Sequence, residues 1–461
     1  MPVHALATSK LIRLLRRALP SDLVREPADP GYAAATQPHN SSFLQRPVVV
    51  VQPDTAEQAA AAVAVARQAG RRVVVQATGH GSGTALNDDL LLLDTSRLDQ
   101  VVVNPAERTA RVGAGTTWSR VQQAAESHEL LALSGTSPTV GVSGYTFAGG
   151  VGWLVRPHGL ASGSLRAVEY VDGEGTLRRA ADDAADPADR EALWAFRGGG
   201  PVGLATALEI DLHPPGDLSA GYLLWPGGDL PRLAQAWTDA LTSAPDTLTS
   251  TLSLLHVPPT GPFPAELLDQ VAVHLCYATT GGEQDLTAMR DAVRAVASPV
   301  IDTTGPADAA TLAAIHLDPP SSVPARGDGW WLDMPTADLI GSLFDAARIG
   351  RPRGLTMIEL RHVATTAPAR EGVLSRPPAP FLVHMVAAAP DDTARAGVDE
   401  VLAEVAGAIG PTAPGRSVPS FREGQADAGT AFGEPELARL TAVAEALDPG
   451  RVLRFQRGLP R

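Results

Sequence analysis

Two glycine-rich segments constrain this chain more than any other feature: Gln76-Ala77-Thr78-Gly79-His80-Gly81-Ser82-Gly83, and the run from Ser134 to Trp153 (SGTSPTVGVSGYTFAGGVGW). A βαβ pattern leads into the first. Val48 to Val51 is an apolar β-branched run, and Thr55 with Gln58 fits a capping box before AAAAVAVARQAG. Gly70 stops that helix, and Val73 to Val75 starts the strand that enters the loop. Such a loop offers successive backbone N–H groups that can point into one concavity and wrap a pyrophosphate. The second segment has glycines at 141, 144, 149, 150 and 152, so the backbone can approach a large planar or phosphorylated ligand. Either loop alone reads equally well as a tight turn between strands. Together they point to a nucleotide cofactor.

Gly198-Gly199-Gly200-Pro201-Val202-Gly203 formally matches G-x-G-x-x-G. The dinucleotide fingerprint needs a strand before it and a helix after it. Here the helical LWAFR precedes and the strand-like LATALEIDL follows, so that reading fails. No lysine in a Walker position follows any of the loops, which excludes a P-loop NTPase.

Strands are predicted at 90–94, 101–104 and 109–115, with a hairpin turn at NPAERT, and a helix over Trp118 to Ser127. AVEYVDGEGTLRRA reads as a hairpin turning at Asp172-Gly173. After Pro215, strands (GYLLW, TLSLLHV, DQVAVHLCYA, TMIELRHV, FLVHMVAA) alternate with helices at 229–244, 283–297, 336–348 and 392–409. This predicts an α+β unit, a single sheet with helices on one face. Residues 411–430 read as a connector, followed by a helix at 434–447 and the segment DPGRVLRFQRGLPR.

The formal charge of −14 and the lack of a basic stripe exclude a nucleic-acid partner. The single cysteine, Cys276, excludes an intrachain disulfide and a multi-thiolate metal site, and in AVHLCYA it reads as a buried, inert thiol. No apolar run is long enough for a membrane span. LIRLLRRAL near the start reads as a short amphipathic surface helix rather than a signal peptide, and the expected location is the cytoplasm.

The run from Arg46 to Pro215 resembles the FAD-binding domain of the vanillyl-alcohol oxidase and p-cresol methylhydroxylase (PCMH) superfamily, in its berberine-bridge-enzyme-like branch. The resemblance rests on VVVQATGHGSG, SGTSPTVGVSGYTFAGGVGWL, WAFRGGG before LATALEIDLHP, and the returning DPGRVLRFQ. It implies an α+β fold: a two-part FAD-binding domain of the PCMH type (1–215, core 46–215), and an α+β substrate domain (216–415) with an antiparallel sheet covered by helices. Residues 416–461 would return to the FAD domain. It also implies FAD bonded covalently through His80. The cysteine that carries a second bond in some members is Ser137 here, so a single link is implied.

By the same resemblance, cofactor contacts fall on Ala77, Thr78, Gly79, His80, Gly81, Ser82, Ser137, Thr139, Val140, Gly141, Gly144, Tyr145, Gly149, Gly150, Gly152, Trp153, Gly203 and Leu204. Departures from the family pattern are Gln76, Thr78 and Pro201-Val202. The family's C-terminal tyrosine is also missing, since 416–425 reads RSVPSFREGQ. The implied activity is an FAD-dependent oxidase acting on a small organic molecule (secondary metabolite, sugar or amine), with oxygen as acceptor. A redox-neutral cyclase of the same fold, or a non-catalytic relic of it, are the alternatives.

Candidate acid–base groups are Tyr145, Glu359 and His362. Strand alternation places Glu359 and Arg361 on one face and His362 on the other, with a solvated Glu/Arg pair and a core histidine as the plain alternative. For Tyr145 that alternative is a packing aromatic. Trp330-Trp331 could wall an aromatic substrate, but adjacent strand aromatics more often lie half in core and half on the surface.

Overall fold

The structure is a computed structural model that describes residues 2–455 apart from 88, 320, 351, 352, 411–415, 426 and 428. Part of the expected connector (411–415) and of the terminal segment (456–461) therefore lies outside the described residues.

The first strands are β1 Val24–Arg25, β2 Val49–Val51, β3 Arg72–Gln76 and β4 Leu90–Asp94. Next come β5 Val101–Asn104, β6 Thr109–Gly113, β7 Leu165–Val171, β8 Leu177–Ala181 and β9 Leu204–Asp211. The third group is β10 Ser219–Pro226, β11 Leu248–His256, β12 Val271–Thr279, β13 Ile301–Asp302, β14 Gly305–Pro306, β15 Ala325–Leu332, β16 Leu355–His362 and β17 Phe381–Ala388. A last strand, β18 Leu453–Phe455, comes from the far end of the chain.

These strands form three sheets, ordered β1-β2-β4-β3-β18, β5-β6-β9-β7-β8 and β13-β10-β12-β11-β16-β17-β15 with β14 beside β10. In the first, β2, β4, β3 and β18 run parallel. The helix between β2 and β3, Ala56–Gln68, opens with the reciprocal Thr55/Gln58 capping box read from the sequence, worth about 1 kcal/mol. β18 reaches β3 because the Asp448 carboxylate accepts from the backbone N–H groups of Val452 and Leu453 and pins the turn before it.

The N-terminal helix corrects the surface reading. It runs Pro2–Ala18, and Leu11 and Leu15, one turn apart, are fully buried in the core built on Ala56–Gln68. Two leucines removed from water contribute roughly 1.5–3 kcal/mol each.

The large sheet is antiparallel throughout, and Leu230–Leu241, Gln284–Val296, Ala337–Gly350 and Asp392–Ile409 pack an apolar core on one face. Its other face is also covered. Trp331, Val363 and Leu382 meet Val151, Val155 and Leu160, while Cys276 and Ala278 meet Leu131 and Trp153. Trp330 and Trp331 point to opposite faces yet are only 8% and 1% exposed, which overturns the half-surface reading. The stretch read as a connector is, from Arg416 to Glu423, a strap along β15. Trp331 N–H donates to the Arg416 carbonyl, Val418 N–H to Gly329 and Gly327 N–H to Glu423. The strap thereby covers the backbone groups of an edge strand.

Candidate functional site

Between the two glycine segments and the large sheet lies a cavity of about 460 Å³. Its floor is built by residues 77–82 and 135–151, its sides by His39-Asn40 and 198–203, and its roof by His316, Asp318, His384, the strap residues 419–423 and Phe432.

The glycines divide into two kinds. Gly79 has φ +74°, and a Cβ there would sit 2.6 Å from Pro38 Cβ, so glycine is required both by conformation and by contact. Gly149, Gly150 and Gly152 do not border the cavity: Cβ atoms there would meet Leu374, Tyr145 and the Ser134 carbonyl. Their missing side chains make room for protein. Gly144 is different. It lies inside the helix Val142–Phe147 and faces the cavity, and a Cβ would meet nothing within 4 Å. A glycine in a helix interior costs up to about 1 kcal/mol relative to alanine. No neighbour in the protein demands it, so the empty position is suited to a ligand lying against the helix.

His80 is held from three sides. Thr78 Oγ1 lies 2.9 Å from Nδ1, Thr139 Oγ1 lies 3.2 Å from Nε2, and the ring stacks on His39 with centroids 3.6 Å apart and planes 9° from parallel. Burial, and then the neighbouring His39, lower its pKa to about 3 against an opposing pull from Asp318. The imidazole is therefore neutral, with a lone pair on one ring nitrogen. Ser137 Oγ lies 3.1 Å from Thr139 Oγ1. Cys276 is fully buried beside His274, away from the cavity, and burial raises its thiol pKa, so it stays protonated.

On the cavity side of the large sheet, His274, Ser253, Glu359, His384 and Gly329 stand opposite one another on adjacent strands. Glu359 does not reach the cavity. It is fully buried, bonded through Oε1 to Arg361 Nε and through Oε2 to His316 Nε2, both at 2.8 Å. The other nitrogen of His316 bonds to Asp318 at 2.8 Å, and Thr136 Oγ1 donates to Asp318 at 2.7 Å. Burial would lower the pKa of His316, but the two carboxylates outweigh it and raise it to about 10. Burial likewise opposes ionisation of Glu359, yet Arg361 and His316 hold it well below the usual carboxylate range. Four enclosed groups thus form a neutral set of two cations and two anions. The Glu359/Arg361 pair is its centre, neither solvated, as the plain alternative had it, nor open to the cavity as an acid–base group would be. His362 lies on the opposite face, stacked on Phe381 and away from the cavity.

Tyr145 does border the cavity. Its ring fits between Gly135 and Gly150, its hydroxyl has no partner among the described residues, and burial pushes its pKa up. It can donate a hydrogen bond but is a poor base at neutral pH. His384, which the sequence reading passed over, faces the cavity with both ring nitrogens without a hydrogen bond, and the Glu423 carboxylate lies 3.6 Å away. A histidine isolated in the apolar run FLVHMVAA was the available signal. His316 and Asp318, in the loop sequence IHLDPP, carried none. Of the remaining cofactor candidates, Ala77 to Ser82, Ser137, Val140, Gly141 and Gly203 line the cavity. Thr139 touches it only through His80, and Trp153 and Leu204 are buried behind it.

Unpartnered polar atoms at Ser82, Tyr145, Ser420 and His384, an open helix glycine and a backbone-lined floor fit a long, polar, partly planar ligand such as FAD. Residues 47–181 match the FAD binding domain family. The fold and site thus define a chain with an FAD-binding domain facing an antiparallel sheet.

The chain is 28% identical over 283 residues to (R)-6-hydroxynicotine oxidase of Paenarthrobacter nicotinovorans, covering 59% of each protein. It is 35% identical over 179 residues to aclacinomycin-N/aclacinomycin-A oxidase of Streptomyces galilaeus, covering 37% of this chain and 33% of that one. The chain therefore spans between a third and three fifths of the length of these two relatives. The solved structure of berberine-bridge-enzyme-like 1 from Physcomitrella patens superposes with TM-score 0.81 at 19% identity, over 98% of this chain and 99% of that one. Residues 47–181 thus carry an FAD-binding domain, and the chain as a whole shares the fold of that berberine-bridge-enzyme-like structure.

Proposed function

We propose that the protein is an FAD-dependent oxidase that takes two electrons from a small organic molecule (secondary metabolite, sugar or amine) and passes them to oxygen, with the flavin bonded to His80. The observation that carries the reading is His80: a neutral, doubly hydrogen-bonded imidazole at the cavity wall, in the loop that follows β3. The names of the two relatives, both oxidases, support the same reaction class.

When bound, FAD accepts a hydride equivalent from a substrate carbon. The chain's part is to hold and shape. Ala77 to Ser82 and Val140 to Gly144 would cradle the cofactor, and the His80 bond would prevent its loss. Ser137 has no thiol to offer, and Cys276 is out of reach, so one link is the reading. Substrate would lie between the floor and the sheet, with residues 1–215 serving the flavin, 216–415 the substrate, and 416–461 closing the site through the strap and β18.

Tyr145 would donate a hydrogen bond to the substrate heteroatom, and His384, backed by Glu423, would take its proton. Glu359 would act at a distance, by keeping His316, and through it Asp318, charged in the roof over the substrate.

Acid precipitation tests the tether. The wild-type pellet stays yellow and peptide mapping finds flavin on His80 alone, while His80→Ala releases its colour. A colourless wild-type pellet, or flavin on Cys276, refutes it. Oxygen uptake with stoichiometric hydrogen peroxide on substrate addition supports the oxidase. Turnover without either identifies a redox-neutral reaction.

A further inference from the structure

We infer that His39 is a positioning residue for covalent flavin attachment: stacked face to face on His80, it fixes the plane from which the His80 ring nitrogen meets the cofactor. The inference rests on the reading that the flavin is bonded to His80.

The stack is built into the fold. His39 N–H donates to the Thr78 carbonyl at 2.9 Å and Asn40 N–H to the Gly79 carbonyl at 3.2 Å. From the other side, Ser322 Oγ and Val323 N–H donate to the His39 carbonyl at 2.7 and 3.2 Å. The positive φ of Gly79, together with its missing Cβ, lets Pro38 close over the loop. His39 is thus clamped between the loop that carries His80 and the segment beyond the sheet. The two threonines hold His80 at its ring nitrogens, and His39 holds it against tilting out of that plane. To react, the ring need only release one threonine hydroxyl.

The step balances as follows. A C–N bond forms between a His80 ring nitrogen and the 8α carbon of FAD. One C–H bond of that methyl group and the N–H bond of the imidazole break. Two electrons and two protons pass to dissolved oxygen, giving hydrogen peroxide. A protonated imidazole has no lone pair for the attack. The titratable groups around His80 are His39 on its face, Asp318 with His316 across the cavity, and His384 with Glu423 in the roof. His39 disfavours a charge on His80, and Asp318 favours it. With burial as the main cause and a pKa of about 3, His80 stays neutral throughout the range of the test, so what His39 supplies is the plane of the ring and not its charge state.

The test uses the full-length chain made in riboflavin-starved cells, with FAD added in air. Acid-stable flavin fluorescence on the protein is followed between pH 5 and 8. His39→Leu keeps the bulk without the ring, and His39→Phe keeps the ring without its nitrogens. Quenching of FAD fluorescence reports non-covalent binding in each.

Wild type should attach flavin at a rate that varies little over this range. His39→Leu should bind FAD but attach it about tenfold more slowly or worse across this pH range. His39→Phe, which restores the stacked ring face, should stay within about threefold of wild type. A loss of local structure alone would lower FAD quenching and would slow both variants alike. The inference is overturned if the Leu variant attaches flavin like wild type. It is also overturned if the Phe variant, with FAD bound, is as slow as tenfold below wild type, and this arm decides alone should the Leu variant not bind FAD. Wild type whose flavin is all acid-extractable overturns the tether itself, a separate result.

Discussion

Replacing Glu359 by glutamine removes one negative charge from an enclosed group of four and turns one hydrogen bond into a donor–donor contact. The amide oxygen can still accept from Arg361, but its NH2 group then meets a second donor, the His316 Nε2–H now bonded to Glu359 Oε2. Arg361 and His316 are left with Asp318 as the sole counter-charge in the cluster. Because Glu359 and Arg361 are both 0% exposed, solvent does not screen the imbalance. Breaking a buried pair by removing one partner costs about 3–5 kcal/mol. With a urea slope of about 3 kcal/mol/M, the unfolding midpoint should fall by about 1–1.7 M. Tryptophan fluorescence is a suitable probe, since Trp153 lies against Arg361 and Trp331 is buried on the same side of the sheet. Adding His316→Gln to Glu359→Gln should cost at least 1 kcal/mol less than the two separate effects together, as expected of residues sharing one network. A Glu359→Gln midpoint within about 0.3 M of wild type, with additive double-mutant effects, would refute the account of this cluster.

Two further outcomes follow. Gly144→Ala should stabilise the flavin-free protein by up to about 1 kcal/mol through helix propensity while weakening FAD binding, measured by denaturation and by flavin titration; unchanged FAD affinity would show that no ligand lies against that helix. His316, raised from 6.5 to about 10 in the folded protein, contributes stability that is complete below pH 6.5 and is lost as pH rises toward 10. The urea midpoint of wild type should therefore fall more steeply across that range than that of His316→Gln, and parallel slopes would contradict the assignment.

The parts of the fold legible in the sequence are those set by local rules. The capping box at Thr55, the hairpin at Asp172-Gly173 and the helix–strand alternation after Pro215 depend on residues close in the chain. The glycine loop after β3 was legible because such a loop has a physical purpose of its own, whereas the reading of His80 as the flavin's attachment point came from the family resemblance. What the sequence hid is what other segments supply. The strap from Arg416 to Glu423 looked like a connector because its backbone partners lie on β15. Gly149, Gly150 and Gly152 looked like ligand contacts, whereas Leu374, Tyr145 and Ser134 fill those spaces. Glu359 and Arg361 were rightly put on one face, but alternation says nothing about a layer that buries that face as well. His384 differs from Glu359 only in which cross-strand neighbour leaves it open to the cavity.

The parallel pairing of β18 with β3 also sets an order of events in the cell. β3 is the strand that delivers the His80 loop, and one of its two neighbours, β18, is translated long after it. Chains emerge N-terminus first, and their early domains generally fold as they appear. Here the first sheet must wait, with one edge of β3 bare, until everything between Gln76 and Leu453 has been translated. A nascent chain stalled before residue 453 would hold both glycine loops with that edge of β3 unpaired.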